Sequence, residues 1–311
     1  MDKEIEQLGE DIKTIKIQGA TNVTKAILNG LKDYSKRIQI SDANSWYSSL
    51  SQASQYLLAL RPTEPLAQNA IFYVFREIKN VSGAKEKKEV LQRSADYFLN
   101  LIESVRKKIV EQAGSLIEEG DHVFTHCHSS LVVESLTIAQ QQGKKFEVFN
   151  TETRPLMQGR LTSRDLLAKN ISSTLVTDSS GPFLISRWSG EKLMMNKIFL
   201  GADALLISGG AINKVGSFGL SLAAHSEKVP VYVLASLLKF NPRNWIDIEK
   251  RPAAEIWPEA PKDLKIINFA FDFIPSKYIT GIICEAGIIK PRDLKKRAQL
   301  LYPWLFSKNN F

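Results

Sequence analysis

His122-Val-Phe-Thr-His-Cys-His-Ser-Ser130 is the stretch on which the interpretation of this 311-residue chain depends. Its first four residues have the apolar pattern of a β-strand, and an amphipathic helical pattern follows over Ser129–Gln142. Cys127 is therefore expected where a strand ends and a helix begins, and ligands bind at such carboxyl ends in open α/β sheets. A helix N-terminus and imidazolium groups on His126 and His128 would lower the pKa of the thiol. The alternative is that Cys127 is a small buried apolar residue, as free cysteines usually are.

Around this stretch the chain divides into two parts of different character. Residues 1–113 have helical periodicity, and from residue 114 short β-rich runs alternate with helical patterns. This alternation predicts a parallel sheet covered by helices on both faces. We therefore predict an α/β protein with a helical N-terminal domain, residues 1–113, and a Rossmann-like catalytic or ligand-binding domain, residues 114–311. The predicted strands are His122–Thr125, Lys145–Asn150, Ser173–Thr177, Ala204–Ser208, Val229–Ala235 and Thr280–Cys284. The predicted helices after residue 114 are Ser129–Gln142, Ser163–Lys169, Asn213–Glu227 and Pro291–Leu300.

The composition argues against nucleic-acid binding, a membrane span and a disulfide framework. The net charge is +8, but the basic residues are spread thinly and are not interleaved with aromatic ones, so no nucleic-acid partner is predicted. A basic balance suits a small phosphorylated substrate equally well. No apolar run is long enough to span a membrane, and the N-terminus lacks the apolar core of a signal peptide. With only two cysteines there is no disulfide framework, and a cytoplasmic location is expected.

Cofactor and metal motifs are missing from the sequence. It contains neither the GxGxxG fingerprint nor the GxxxxGK[ST] phosphate loop, so nicotinamide and nucleoside-triphosphate chemistry have no support. His126 and His128 have no third ligand at a zinc-like spacing. We predict no cofactor and no metal.

Two segments beyond Cys127 have residue types suited to a catalytic site. Asp203, in Gly201-Ala-Asp203, precedes an apolar run, and desolvation there would raise its pKa and suit it to acid–base chemistry. An Asp that caps a turn is the commoner role for Gly-Ala-Asp. Asn213 and Lys214 are predicted to open a helix, where an anion would meet amides, a dipole and an ammonium group. A plain surface lysine is the alternative for Lys214.

Three further cations follow helical breaks or predicted strands. Arg61 lies in Arg61-Pro-Thr63, between two helical patterns. Arg154 follows the second predicted strand, where it could bind phosphate or pair with Glu152. Lys239 follows the fifth predicted strand, Val229–Ala235.

Taken in order, these segments resemble the initiation factor 2B α/β/δ-related family. That family contains methylthioribose-1-phosphate isomerase, the archaeal ribose-1,5-bisphosphate isomerase and the regulatory subunits of translation initiation factor 2B. Each segment is weak alone, but the ordered set from residue 15 to about residue 290 is specific. The segments are Ile15-Lys-Ile-Gln-Gly-Ala20, Arg61-Pro-Thr63, Thr125-His-Cys-His-Ser129, Thr151-Glu-Thr-Arg-Pro155, Gly201-Ala-Asp203, Gly210-Ala-Ile-Asn-Lys-Val-Gly216, Lys239-Phe240, Asn268-Phe-Ala-Phe-Asp272 and Glu285-Ala-Gly-Ile-Ile289.

The resemblance implies an aldose–ketose isomerase of a sugar 1-phosphate, most like the conversion of ribose 1,5-bisphosphate to ribulose 1,5-bisphosphate. The isomerases carry a catalytic Cys in Thr-His-Cys and a catalytic Asp in Gly-Ala-Asp, and these positions are Cys127 and Asp203 here. The regulatory subunits typically lack that pair. The resemblance also implies that no cofactor is needed and that the protein is a homo-oligomer, at least a dimer. The residues expected to hold the substrate are Gln18, Gly19, Ala20, Arg61, His128, Arg154, Asn213, Lys214 and Lys239.

The sequence departs from the family pattern at three places. Gln18 stands where the family carries a phosphate-binding Arg, and a neutral amide cannot provide a charged bidentate contact. Thr21-Asn22 replaces a usual Gly-Lys, and Cys284-Glu-Ala-Gly287 lacks another Arg. Two alternatives therefore stay open. One is a non-catalytic regulatory subunit that binds a nucleotide or sugar phosphate and contacts translation initiation factor 2, and the other is an assembly subunit with an empty pocket.

Overall fold

Five helices form the N-terminal part of the chain, as the apolar periodicity predicts. The computed structural model describes residues 2–39 and 42–307, so residues 1, 40–41 and 308–311 of the predicted domain ranges lie outside the described residues. In the third helix Trp46, Leu50, Ala53 and Leu57 recur at helical spacing, and all four are buried against the other helices. The helices are Lys3–Lys13 (α1), Ala20–Arg37 (α2), Ala43–Ala59 (α3), Pro65–Lys79 (α4) and Ala84–Ser115 (α5).

A seven-stranded sheet forms the centre of the second part. Its strands are His122–Thr125 (β1), Glu147–Thr151 (β2), Ser172–Val176 (β3), Lys197–Gly201 (β4), Val231–Leu234 (β7), Gly281–Cys284 (β10) and Gly287–Ile289 (β11). The order is β11-β10-β7-β4-β1-β2-β3, and every neighbouring pair is parallel except β10 with β11. All five residues of β4 are buried, which requires cover on both faces of the sheet. The α/β prediction is confirmed.

A second sheet of four short strands lies beside the first. It consists of Ala204–Leu206 (β5), Ala211–Lys214 (β6), Phe240–Asn241 (β8) and Phe271–Ile274 (β9), in the order β8-β5-β6-β9. The strand predicted at Ala204–Ser208 is thus β5, outside the main sheet. The strands β4, β6, β8, β9 and β11 were not predicted from the sequence.

The remaining helices cover the sheets. They are Ser130–Gln141 (α6), Gln158–Leu167 (α7), Gly181–Ile185 (α8), Ser217–Ser226 (α9) and Leu294–Leu301 (α10). The helix predicted at Asn213–Glu227 is wrong at its start, because Asn213 and Lys214 end β6. Their backbone groups pair with Asp272 and Phe271 of β9, and this ladder overrides the local helical pattern. Gly216 then has φ 109°, and α9 begins at Ser217.

The helical part and the α/β part share one apolar core. The buried side chains of this core come from both parts of the chain, from Ile5 to Leu305, and α5 continues past the predicted boundary to Ser115. The division at residue 113 therefore stays a prediction. Within the part of the chain that the structure describes, no helix combines the length and apolarity needed to cross a membrane.

Candidate active site

A cavity of about 400 Å³ opens between the start of α2 and the carboxyl ends of β1 and β4. Neighbouring parallel strands end at the same edge of a sheet, which is where ligands bind in such folds. The structure brings ten of the eleven predicted site residues to the cavity lining. These are Gln18, Gly19, Ala20, Arg61, Cys127, His128, Asp203, Asn213, Lys214 and Lys239.

Cys127 is held in an unusual backbone conformation at the end of β1. Its φ of 67° lies in the left-handed region, which few residues other than glycine adopt. Its N–H donates to Thr153 Oγ1 at 2.9 Å, and its carbonyl accepts from Thr162 Oγ1 at 2.8 Å. The residue is partly buried and lines the cavity.

The thiol of Cys127 has a raised pKa, contrary to the prediction. Burial raises the pKa of Cys127 to about 11, and the positive charge of Lys214 opposes this only in part. His126, fully buried, does not supply an imidazolium group, because burial lowers its pKa to about 4. Burial also lowers the pKa of His128. At neutral pH Cys127 is therefore a thiol beside neutral imidazoles, because desolvation outweighs the effect of the helix N-terminus.

Among the described residues, two lysines of the cavity wall, the buried Lys214 and the partly buried Lys239, have no carboxylate partner in an ion pair. Lys214 is 7% exposed, and its ammonium lies 4.8 Å from the centroid of the Phe271 ring. The ammonium of Lys239 donates to the carbonyl of Ala202 at 2.6 Å, and burial lowers the pKa of Lys239. Among the described residues, no carboxylate oxygen lies within 4.0 Å of either ammonium. The negative charges of Asp203 and Glu64 act on Lys239 only from a longer distance, where they partly oppose the effect of burial on its pKa. An anion in the cavity would bring a counter-charge into direct contact with both ammonium groups.

The arginines around the cavity differ from these lysines, because each already contacts carboxylates. Arg61 forms an ion pair with the buried Glu64 and approaches Glu249 at 3.7 Å. Burial raises the pKa of Glu64 to about 7, since the positive charge of Arg61 offsets the desolvation of its carboxyl group only in part. Arg251 likewise pairs with Glu249 at 3.1 Å. Arg61 is thus part of a charge network in the cavity wall.

Arg154, the eleventh predicted residue, lies outside the cavity lining. It is exposed, and its guanidinium donates to the carbonyl of Ile256 at 2.6 Å. It therefore joins the loop after β2 to the irregular segment of residues 242–269. The cis peptide bond between Arg154 and Pro155 belongs to the same loop.

Several lining residues had no counterpart in the sequence-based prediction. Lys25 lies four residues after Thr21, on the face of α2 that meets the cavity, so helical spacing could have indicated it. Arg106 comes from the middle of α5, and no local pattern distinguishes it from other surface arginines. Glu249, Arg251, Glu255 and Asn268 come from an irregular segment that offers no periodicity.

A metal site finds no support among the described residues. Residues 2–39 and 42–307 contain no group of three or more His, Cys, Asp or Glu side chains arranged to hold a metal ion. The predicted independence from metals and cofactors stays a prediction.

Comparison with known proteins agrees with the fold and identifies the family. The model of the initiation factor 2 subunit family, IF-2B, matches residues 16–291. The chain is 32% identical over 307 residues to ribose 1,5-bisphosphate isomerase of Methanocaldococcus jannaschii, covering 97% of this chain and 96% of that protein. It is 30% identical to 5-deoxyribose 1-phosphate isomerase of Moorella thermoacetica, with 96% and 89% covered. The crystal structure of the Pyrococcus horikoshii translation initiation factor eIF-2B matches the fold with a TM-score of 0.82 at 24% identity, covering 94% of this chain and 100% of that one. This chain therefore belongs to the initiation factor 2 subunit family.

Proposed function

We propose that this protein is an aldose–ketose isomerase of a sugar 1-phosphate, with ribose 1,5-bisphosphate as the first candidate substrate. The observation that carries the proposal is the content of one cavity. It contains the thiol of Cys127, the carboxyl group of Asp203 and the ammonium groups of Lys214 and Lys239. Relatives that match nearly the whole chain are isomerases of ribose 1,5-bisphosphate and 5-deoxyribose 1-phosphate.

The reaction requires four proton transfers, and two side chains can carry out two each. A 1-phosphate locks the sugar ring closed, so the ring oxygen must gain a proton as its bond to C1 breaks. C2 loses a proton to give an enediol-type phosphate, and C1 then gains a proton while the C2 hydroxyl loses its own, which gives the ketose. We assign to Asp203 the proton given to the ring oxygen and the proton taken from the C2 hydroxyl, and to Cys127 the protons at C2 and C1.

The protonation state of Cys127 adds one requirement to this scheme. Burial keeps the pKa of the thiol at about 11, so Cys127 must lose its own proton before it accepts one from C2. Lys214 supports that step, because its positive charge lowers the pKa of the thiol. The positive charge of Lys214 would therefore have two roles, because it favours the thiolate of Cys127 and also binds the phosphate.

The phosphate groups would be held by cations and helix N-termini. Lys214 and Lys239 can accept a phosphate without breaking an ion pair with a carboxylate. The helices α2 and α6 both begin at the cavity, and neither has a side-chain cap on its first N–H groups, so these groups can bind an anion. Asn213 and His128 would contact hydroxyls, and Gln18, Gly19 and Ala20 would contact the far end of the substrate. Arg61 would contribute only if its pairing with Glu64 and Glu249 rearranges.

We also propose that the protein forms a homo-oligomer, at least a dimer, through its α/β part. Several large apolar side chains are exposed there, and family resemblance implies such pairing. They include Phe183, Trp188, Met194, Phe218 and Leu222. A mass near the 34.9 kDa of one chain in light scattering at micromolar concentration would contradict this. The cytoplasmic location remains a prediction.

One observation favours a second candidate, a regulatory subunit that binds a sugar phosphate or nucleotide without turnover. Gln18 lines the cavity at the position where the family carries a phosphate-binding Arg. Such a protein would keep the pocket and contact translation initiation factor 2.

Turnover separates the two candidates. The purified protein is incubated with ribose 1,5-bisphosphate, ribose 1-phosphate and 5-deoxyribose 1-phosphate, and the ketose carbonyl is followed by ¹³C NMR. The isomerase proposal expects ketose from at least one substrate, and no ketose with Cys127→Ser. Absence of turnover on all three, with equal binding by wild type and Cys127→Ser, would support the regulatory subunit instead.

A further inference from the structure

Three neighbouring parallel strands end beside the thiol. Cys127 follows β1 by two residues, Thr153 follows β2 by two residues, and Asp178 follows β3 by two residues. Because β1, β2 and β3 are adjacent in the sheet, their carboxyl ends lie side by side. Thr153 and Asp178 are absent from the residues that line the cavity, so neither is placed to touch a substrate there.

Hydrogen bonds connect these three residues in series. The carboxylate of Asp178 accepts from the N–H of Thr153 at 2.8 Å and from the N–H of Arg154 at 2.6 Å. The hydroxyl of Thr153 accepts from the N–H of Cys127 at 2.9 Å. Thr153, like Cys127, has a positive φ, of 63°, and it is fully buried. Two residues in the rare left-handed conformation are thus held by one another and by Asp178.

The direction of the neighbouring hydrogen bonds is determined by chemistry. The carbonyl of Val215 can only accept, so the Nε2 atom of His126, 2.9 Å away, must carry the hydrogen. In the neutral imidazole Nδ1 then accepts from the hydroxyl of Thr151. The hydroxyl of Thr153 donates to the side-chain oxygen of Thr151 at 3.2 Å or to its carbonyl at 3.4 Å. Thr153 is therefore left with a lone pair directed to Cys127.

We propose that Thr153 and Asp178 are positioning residues that hold Cys127 in its left-handed conformation, with its thiol at the cavity. The inference rests on the proposed function, because it assigns importance to the placement of that thiol. Release of the N–H of Cys127 would let its φ return to a negative value and turn the side chain away from the cavity.

Thr153→Val is the main test, because it replaces the hydroxyl by a methyl group of similar size. The N–H of Cys127 loses its acceptor, and we expect kcat to fall about 10- to 100-fold, as for a displaced catalytic group. KM should stay within about twofold, since no substrate contact is removed. Thr153→Ser keeps the acceptor and should restore most of kcat. Thr177→Val is the matched control, because Thr177 directly follows β3 and its hydroxyl is hydrogen-bonded to Ser179 and Ser180.

Iodoacetamide labelling of Cys127 gives a readout that does not depend on turnover. The labelling rate per thiolate, taken from its pH dependence because removal of the Asp178 charge by itself lowers the pKa of Cys127, should fall with Thr153→Val and with Asp178→Ala. It should match wild type with Thr153→Ser and Thr177→Val. Equal labelling rates and equal kcat in wild type and Thr153→Val would overturn the proposal. So would equal losses in Thr153→Val and Thr153→Ser, because a merely structural role explains that result. If no variant turns over any sugar phosphate but labelling still follows the hydroxyl, the isomerase proposal fails and the positioning role stands.

Discussion

Lys214→Met tests whether an anion completes the charge balance of the cavity. Lys214 is 7% exposed, its ammonium lies over the Phe271 ring, and among the described residues no carboxylate pairs with it. Methionine has a similar length and is apolar, so the substitution removes the charge and leaves little space. The ammonium of a buried lysine without a counter-ion carries a desolvation cost that the substitution also removes.

The expected loss of binding follows from Coulomb's law. Two unit charges 4 Å apart interact by about 4 kcal/mol at an effective dielectric constant near 20. Because Lys239 and solvent share the charge of the phosphate, we take about half of this, or about 2 kcal/mol, which is about a 30-fold increase in Kd. The free energy of unfolding should not decrease, so Tm should be unchanged or higher. A loss of affinity without a loss of stability distinguishes a binding residue from a structural one.

Calorimetric titration with inorganic phosphate and with ribose 1,5-bisphosphate measures the affinity, and thermal unfolding measures the stability. Lys277→Met is the matched control, because the ammonium of Lys277 also lies over an aromatic ring, 4.9 Å from the centroid of Tyr278, but outside the cavity lining. A second readout is the pKa of Cys127, which should rise further when the positive charge is removed. Unchanged affinity in Lys214→Met, with Lys277→Met also unchanged, would refute the assignment of Lys214 to phosphate binding.

Three further predictions concern the two cysteines, Asp203 and Gln18. Cys127→Ser and Asp203→Asn should each lower kcat by about 10²-fold or more with phosphate binding retained. The loss of kcat in the double variant should be far smaller than the product of the two single losses, because the two groups share one proton-transfer sequence. Multiplicative losses in steady-state kinetics would contradict this. Cys127 should react with iodoacetamide faster than Cys284, because burial raises the pKa of Cys127 to about 11 and that of Cys284 to about 12, and Cys284 is fully buried. The labelling rate at Cys127, measured by mass spectrometry, should rise about tenfold per pH unit between pH 7 and 10. A plateau of this rate near pH 8 would contradict the raised pKa. Gln18→Arg adds a guanidinium group to the cavity lining. In calorimetry it should therefore lower the Kd for ribose 1,5-bisphosphate more than the Kd for ribose 1-phosphate. An equal change in both Kd values would mean that the second phosphate binds elsewhere.

Local sequence patterns predicted much of the fold because helix and strand periodicity depends on residues that are close together in the chain. The five N-terminal helices follow from apolar residues at helical spacing, and β1 with α6 follows from the strand and helix patterns on either side of Cys127. The central strand β4 was not predicted, although Lys197–Gly201 contains three consecutive apolar residues, because a short apolar run does not distinguish a buried strand from a buried helix. Partners distant in the sequence decide that question.

The same distinction applies to the site. The strand and helix patterns predicted that Cys127 lies at the carboxyl end of a strand, where ligands bind. That Asp203 and Lys214 belong to the same site was implied by the family resemblance and not by a local pattern. The placement of Asn213 and Lys214 on a strand depended on pairing with β9, which lies more than 50 residues away.

By itself, the sequence determined the α/β class, the helical start of the chain, the thiol at a strand end and the set of polar residues that could meet there. Only the tertiary structure decided which cations remain without a carboxylate, that Arg154 lies outside the cavity lining, and that Cys127 is a thiol held in a left-handed conformation. The physical reason is that periodicity and spacing are properties of adjacent residues. Desolvation, ion pairing and hydrogen bonding depend on atoms that folding brings together from distant parts of the chain.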